Sequence, residues 1–166
     1  MTIGEDRSFL EQVMDAYRQG DTSARADSPG TRMVEAIQAT YLAIVMQDYV
    51  RCTELMTDDF SLEIIGPPEI PIVGRWQGRI AVAEAMARNF GEFVDQNPVI
   101  LGVVAQEQAV LVMARETGRV VKTNQPYDVH WCQWFTFRGD QLCRVLEIFD
   151  HRPIQAAYVS GPNLPT

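Results

Sequence analysis

Positive charge is scarce in this chain. Against 22 Asp and Glu stand only 14 Lys and Arg, a formal net charge of −8 over 166 residues. Nucleic acids and anionic membrane surfaces both need concentrated positive charge, so neither is expected as a partner. No apolar run approaches the roughly 20 residues that span a bilayer. The opening MTIGEDRSFL has no basic segment followed by an apolar one, so a secretory signal is not expected. Cysteine is sparse, odd in number and scattered, at Cys52, Cys132 and Cys143. That usage fits reduced thiols in a cytoplasmic protein better than a disulfide framework. The two histidines, His130 and His151, and the cysteines do not fall at metal-ligand spacing, so no metal is expected. Also missing are a GxSxG elbow, a P-loop, a dinucleotide fingerprint, internal repeats and low-complexity runs. No cofactor is expected.

What is present is an ordinary globular composition, 46% apolar and 22% charged, in a chain of one-domain length. The most ordered pattern lies in residues 125–150, where QPYDVHWCQWFTF, the turn RGDQ and LCRVLEIFD read as two antiparallel strands. Strand side chains alternate with period 2. One face therefore carries Tyr127, Val129, Trp131, Gln133, Phe135 and Phe137, continued by Val145, Glu147 and Phe149. It is an apolar wall with two polar groups set into it. Burying an ionisable group in such a wall is costly. The wall is thus either a sheet face touching water or the lining of a ligand cavity. The opposite face carries His130, Cys132, Trp134 and Thr136, and is too apolar to stay wet over a large area.

Taken in order, residues 8–18 have a helical stripe of Phe9, Leu10, Val13, Met14 and Tyr17, which must cover the domain's own surface or a partner subunit. DTSARADSPG has linker composition. Thr31 is a candidate N-cap for a second helix carrying Met33, Val34, Ile37, Tyr41, Ile44 and Val45. YVRCTELM forms a short helix, and FSLEII a strand closed by GPPEIP. IPIVGRWQG is extended, and RIAVAEAMARNFGEFV is a further helix. After Asn97-Pro98 the pattern is strands, with VILGVVAQE and AVLVMARET as a hairpin and GRVVKTNQP as an edge or hairpin tip. GPNLPT reads as a mobile C-terminal tail. Helices early and sheet late predict α+β, with helices on one face of a curved antiparallel sheet.

This order, with TDDFSLE, GRWQGRIAVAEAM and FTFRGDQLCRVLEIFD at their places, resembles the NTF2-like superfamily. Within it the chain is most similar to the SnoaL-like and ketosteroid-isomerase-like branch, and also to limonene-epoxide-hydrolase-like members. The resemblance implies a cone, with a curved, mostly antiparallel sheet wrapped around a long helix and two to three further helices. It implies a domain over residues 31–152, preceded by a helix and linker (1–30) and followed by a tail (153–166). It also implies a homodimer through the outer sheet face. Tyr41 looks like the pocket tyrosine of the steroid isomerases, whose base and acid positions fall at Ile64 and Gln133. Glu147 looks like the water-activating carboxylate of the epoxide hydrolases, and Arg115 like their middle-strand arginine. Residues at the places of their tyrosine, asparagine and second aspartate are Leu62, Ile64 and Thr117.

The expected function is a pocket for a small apolar, oxygen-bearing ligand of polyketide, terpenoid or steroid type. It would act without a cofactor as an isomerase, cyclase or hydrolase. The alternative is a binding or dimerisation module without catalysis. Glu147 is the candidate proton carrier, because desolvation can bring a carboxyl toward neutrality; otherwise it pairs with Arg115 or Arg144. Tyr41, Gln133, Trp131, Arg115, Ile64, Phe149 and Phe135 are the candidate ligand contacts. His130 shares a face with Trp134, away from Gln133, and is set aside.

Overall fold

The computed structural model describes residues 3–20 and 28–159, with side chains from residue 9 onward. The elements are α1 (Ile3–Gly20), α2 (Pro29–Val45), α3 (Tyr49–Glu54), β1 (Met56–Ile65), β2 (Gly74–Gln77), α4 (Arg79–Phe90), β3 (Phe93–Gln106), β4 (Ala109–Val120), β5 (Pro126–Arg138), β6 (Gln141–Phe149) and α5 (His151–Val159). The strands form one curved sheet in the order β2-β1-β6-β5-β4-β3. Only the β1–β6 pairing is parallel; the others are antiparallel. This is the α+β cone that the resemblance implies.

Helix α2 starts one turn earlier than Thr31 suggests. Pro29 sits in the first turn, where its fixed φ suits a helix and its missing N–H costs nothing. Ser28 is the N-cap, its Oγ accepting from the Thr31 N–H at 3.1 Å. Val34 and Ile37 of α2 are fully buried, as are Val110, Val112 and Ala114 of β4, and they belong to one apolar core. That core lies between the helices and the concave side of the sheet.

The N-terminal stripe covers the domain itself. Phe9, Val13, Met14 and Tyr17 are buried, and Gln38 Nε2 donates to the Leu10 carbonyl at 2.6 Å. The Ile100 N–H on edge strand β3 donates to Gln12 Oε1 at 3.1 Å, so α1 also occupies part of an otherwise open sheet edge. Strand β3 begins at Phe93 and contains Asn97-Pro98 rather than following it. An edge strand tolerates proline because one side of it needs no ladder donors. The β5–β6 turn places Gly139 at φ 62°, where a side chain would be strained.

At the C-terminus the chain does not leave the domain at residue 153. Residues 151–159 form α5, with Ile154 and Ala157 buried. Thr123 Oγ1 donates to the Ala157 carbonyl at 2.7 Å, and the Tyr158 hydroxyl to Glu92 Oε2 at 3.1 Å. The apolar pair docks the helix; all of GPNLPT lies outside the described residues, as does most of the expected linker. No described helix is long and apolar enough to cross a membrane.

Candidate functional site

The concave side encloses a cavity of about 500 Å³, lined by residues of every helix and of every strand but β2, among them Tyr41, Leu62, Ile64, Glu116, Trp131, Gln133, Phe135, Glu147 and Phe149. That volume falls within the usual range for small-molecule sites. A second depression of about 670 Å³, lined by Asp95, Arg119, Asp128, Pro153 and others, is open to the surface.

The alternation expected of β5 and β6 holds along the wall. Tyr127, Val129, Trp131, Phe135, Phe137, Val145 and Phe149 are buried, whereas His130 and Trp134 are exposed. Gln133 and Glu147 are register partners on adjacent strands, so their side chains leave the sheet side by side. Gln133 Nε2 donates to Glu147 Oε2 at 2.7 Å. From the opposite wall, the Tyr41 hydroxyl donates to Gln133 Oε1 at 2.6 Å. One glutamine therefore joins a helix phenol to a strand carboxyl. Tyr41 also rests on Phe135 edge to face, with ring centroids 6.0 Å apart.

Electrostatics follow from this burial. Desolvation pushes the Glu147 carboxyl up to about 7; the Gln133 hydrogen bond opposes the rise and the charge of Glu116 adds to it. Burial likewise raises the Tyr41 phenol well above its ordinary value, with the Glu147 charge adding. Neither expected arginine reaches Glu147. Arg144 donates to Glu63 Oε2 at 3.0 Å, and Arg75 does the same from the other side. The alternative of a sheet ion pair for Glu147 is thereby excluded among the described residues.

Arg115 needs correction as a ligand contact. It is exposed on the convex side and holds Asp128 through two nitrogens, one at 2.5 Å. Its neighbour Glu116 is the β4 residue that turns inward, because Val110, Val112 and Ala114 fix the inner phase of that strand. Reading that alternation one step further through ARET would have found it. Glu116 Oε1 accepts from the Tyr127 hydroxyl at 2.6 Å and from Gln96 Nε2 at 3.1 Å. Its Oε2 accepts from Trp131 Nε1 at 3.1 Å. Gly118 makes this possible. A Cβ there would lie 2.5 Å from the Tyr127 hydroxyl, so only glycine lets the phenol lie across β4 toward Glu116. Burial, then the Glu116 charge and hydrogen bond, raise the Tyr127 phenol.

The other candidates are placed as follows. Trp131, Ile64, Phe135 and Phe149 line the cavity, and Tyr41, Gln133 and Glu147 meet within it. Ile64, at the place of the steroid isomerases' base, contributes only an apolar surface. Cys132 and Cys143 are half-buried and Cys52 is buried.

Comparisons with known proteins agree with this architecture. A NTF2-like protein from Burkholderia xenovorans LB400 superposes with a TM-score of 0.67 at 24% identity, over 77% of this chain and 96% of that one. A protein of Jannaschia sp. CCS1 assigned as a SnoaL-like polyketide cyclase gives 0.68 at 21% identity, over 84% and 100%. TerC, co-crystallised with polyporic acid, gives 0.69 at 18% identity, over 78% and 99%. At these identities the likeness is one of fold. No protein of curated function matches the sequence. The model of the SnoaL-like domain matches residues 32–145, well over half of the chain. The chain belongs to the SnoaL-like domain family, within the NTF2-like superfamily.

Proposed function

We propose that the cavity binds a small apolar ligand and that Glu147 moves a proton on it, as in an isomerase or cyclase that needs no cofactor. One observation carries this reading. Glu147 lies in an apolar cavity, held by Gln133 and by no cation among the described residues, with its carboxyl brought to about 7. A group poised there can accept a proton from one ligand atom and return it to another near neutral pH. Gln133 fixes the carboxyl's orientation, and its second amide hydrogen can hold a ligand oxygen. Tyr41 keeps the glutamine from rotating.

Deuterium exchange beside the carbonyl of phenylcyclohexanone, followed by NMR, tests the assignment. Wild type is expected to accelerate exchange and Glu147→Gln to lose the acceleration with its fold intact. Equal rates for the two would remove Glu147 from the chemistry and leave a binding module.

The convex face supports a homodimer. Leu111, Trp134 and Leu146 form one row across β4, β5 and β6, and Met113, Cys132, Ile148 and Ile65 form the next, reaching β1. Met113, Trp134, Ile148 and Ile65 are each about half exposed in the single chain, at 46%, 48%, 51% and 47%. A second copy covering these rows would remove that apolar surface from water. Sedimentation should show a dimer at micromolar concentration that Trp134→Asp weakens at least about tenfold; a wild-type monomer would refute it.

A further inference from the structure

We infer that the ligand of this cavity carries a basic nitrogen, and that its cation docks on Glu116. The inference rests on the cavity being a ligand site and adds the class of ligand. The first ground is charge. Two carboxylates, Glu116 and Glu147, line the cavity, and no Lys, Arg or His is among its described lining residues. A ligand carrying carboxylate, phosphate or phenolate would meet only repulsion from charged neighbours there, whereas a cation would find a counter-ion in a low-dielectric setting.

The second ground is how Glu116 is held. Its three partners, Tyr127, Trp131 and Gln96, are neutral donors. They orient the carboxylate and satisfy part of its capacity, but none neutralises it. Each carboxylate oxygen accepts more than one hydrogen bond, so room remains for a charged N–H donor. The third ground is aromatic. Phe93 meets Tyr127 edge to face with centroids 5.2 Å apart, next to Glu116, and ten aromatic side chains in all line the cavity. Ring faces attract ammonium groups most strongly where water is displaced.

The two carboxylates divide the labour by position. Glu116 pairs in register with Val129 and Glu147 with Gln133, four residues apart on β5. That is about 13 Å of strand. An elongated ligand can thus anchor its nitrogen at Glu116 and present a reacting carbon near Glu147.

Calorimetry at about pH 8 with phenylbutylamine, phenylbutanol and phenylbutyrate tests this, since the three share one apolar body and differ in the head group. The amine is expected to bind at least about tenfold more tightly than the alcohol, with the acid weakest. Glu116→Gln should abolish the amine's advantage, while Tyr127→Phe, which keeps the charge, should retain the order. Alcohol or acid binding as tightly as the amine, or an advantage untouched by Glu116→Gln in a folded variant, overturns the inference and leaves the pocket reading standing. Binding of none of the three at millimolar concentration sinks the pocket reading and this inference with it.

Discussion

Gln133 and Glu147 face each other across the β5–β6 ladder, and the 2.7 Å bond between their side chains ties a titratable carboxyl to the cavity wall. The pair is reached from the far side by the Tyr41 hydroxyl, so one short chain of donors and acceptors crosses the cavity. Its members come from the β5–β6 hairpin and from α2, which is remote in sequence but converges with it on the concave side.

The titration of Glu147 should be visible in stability. Its carboxyl rises from an ordinary 4.5 to about 7 on folding, mainly through desolvation. Below about 4.5 both states are protonated and the group contributes no pH dependence. Between that value and about 7 the folded protein keeps a proton that the unfolded chain releases, so stability falls as pH rises. Above about pH 7 the loss is complete, on the order of 3 kcal/mol. Denaturant unfolding from pH 4 to pH 8 should show this decline in wild type and a shallower one in Glu147→Gln; matching slopes would assign the decline to other groups.

Neighbours should move that titration in opposite directions. Glu116→Gln removes a negative charge that raises the Glu147 value, so the midpoint shifts down. Gln133→Leu removes the hydrogen bond that lowers it, so the midpoint shifts up. Carbon-detected NMR of the glutamate carboxyls reads both shifts directly, and a shift of either sign opposite to these would show that the charge arrangement is wrong.

Tyr41→Phe keeps the ring packing on Phe135 and deletes the donor to Gln133 Oε1. Leaving that acceptor without its partner should cost about 1–2 kcal/mol of stability. Loss of the proton-transfer activity should accompany it, because the glutamine is then free to rotate away from Glu147. Chemical denaturation and the deuterium-exchange assay, run together, check both parts.

Gly118→Ala should act on Glu116 without touching it. The added methyl meets the Tyr127 ring, with Cζ at 2.7 Å, in a buried part of the sheet. Overpacking of this kind costs about 1–3 kcal/mol, and the displaced phenol can no longer hold Glu116. A lowered melting temperature with weaker amine binding is expected. An unchanged melting temperature would mean that the ring has room to move.

Arg115→Ala serves as the contrasting case. Arg115 and Asp128 are both about half exposed, and such surface pairs are worth about 0–1 kcal/mol. Ligand binding in the cavity should be unchanged, and stability nearly so; a loss of binding would place the arginine in the site after all.

Much of the fold was legible in the chain because its strongest signals are local. Period-2 alternation along residues 127–149 put Trp131, Gln133 and Glu147 on one face and His130 and Trp134 on the other, and the backbone stereochemistry of a strand enforces that division wherever the strand lies. The stripe in α1 was equally clear, although only the packed structure chose the domain's own β3 edge over a partner as what it covers. Local signals also misled where a single residue type was given too much weight. Thr31 looked like a cap, but the helix starts at Pro29 with Ser28 as its N-cap, and the terminal glycine and prolines obscured the docking of Ile154 and Ala157.

By itself the sequence determined which side chains share a face, because that depends on neighbours one or two residues away. Only the tertiary structure decided which faces meet. Tyr41 and Gln133 lie 92 positions apart, and their bond exists because α2 is enclosed by the curved sheet. Along β4 the alternation with Val110, Val112 and Ala114 already put Glu116 and Arg115 on opposite faces, and the tertiary structure decided that the Glu116 face is the enclosed one. An apolar interior admits a carboxylate that three neutral donors can hold, and the arginine, one residue out of phase, pairs with Asp128 in water.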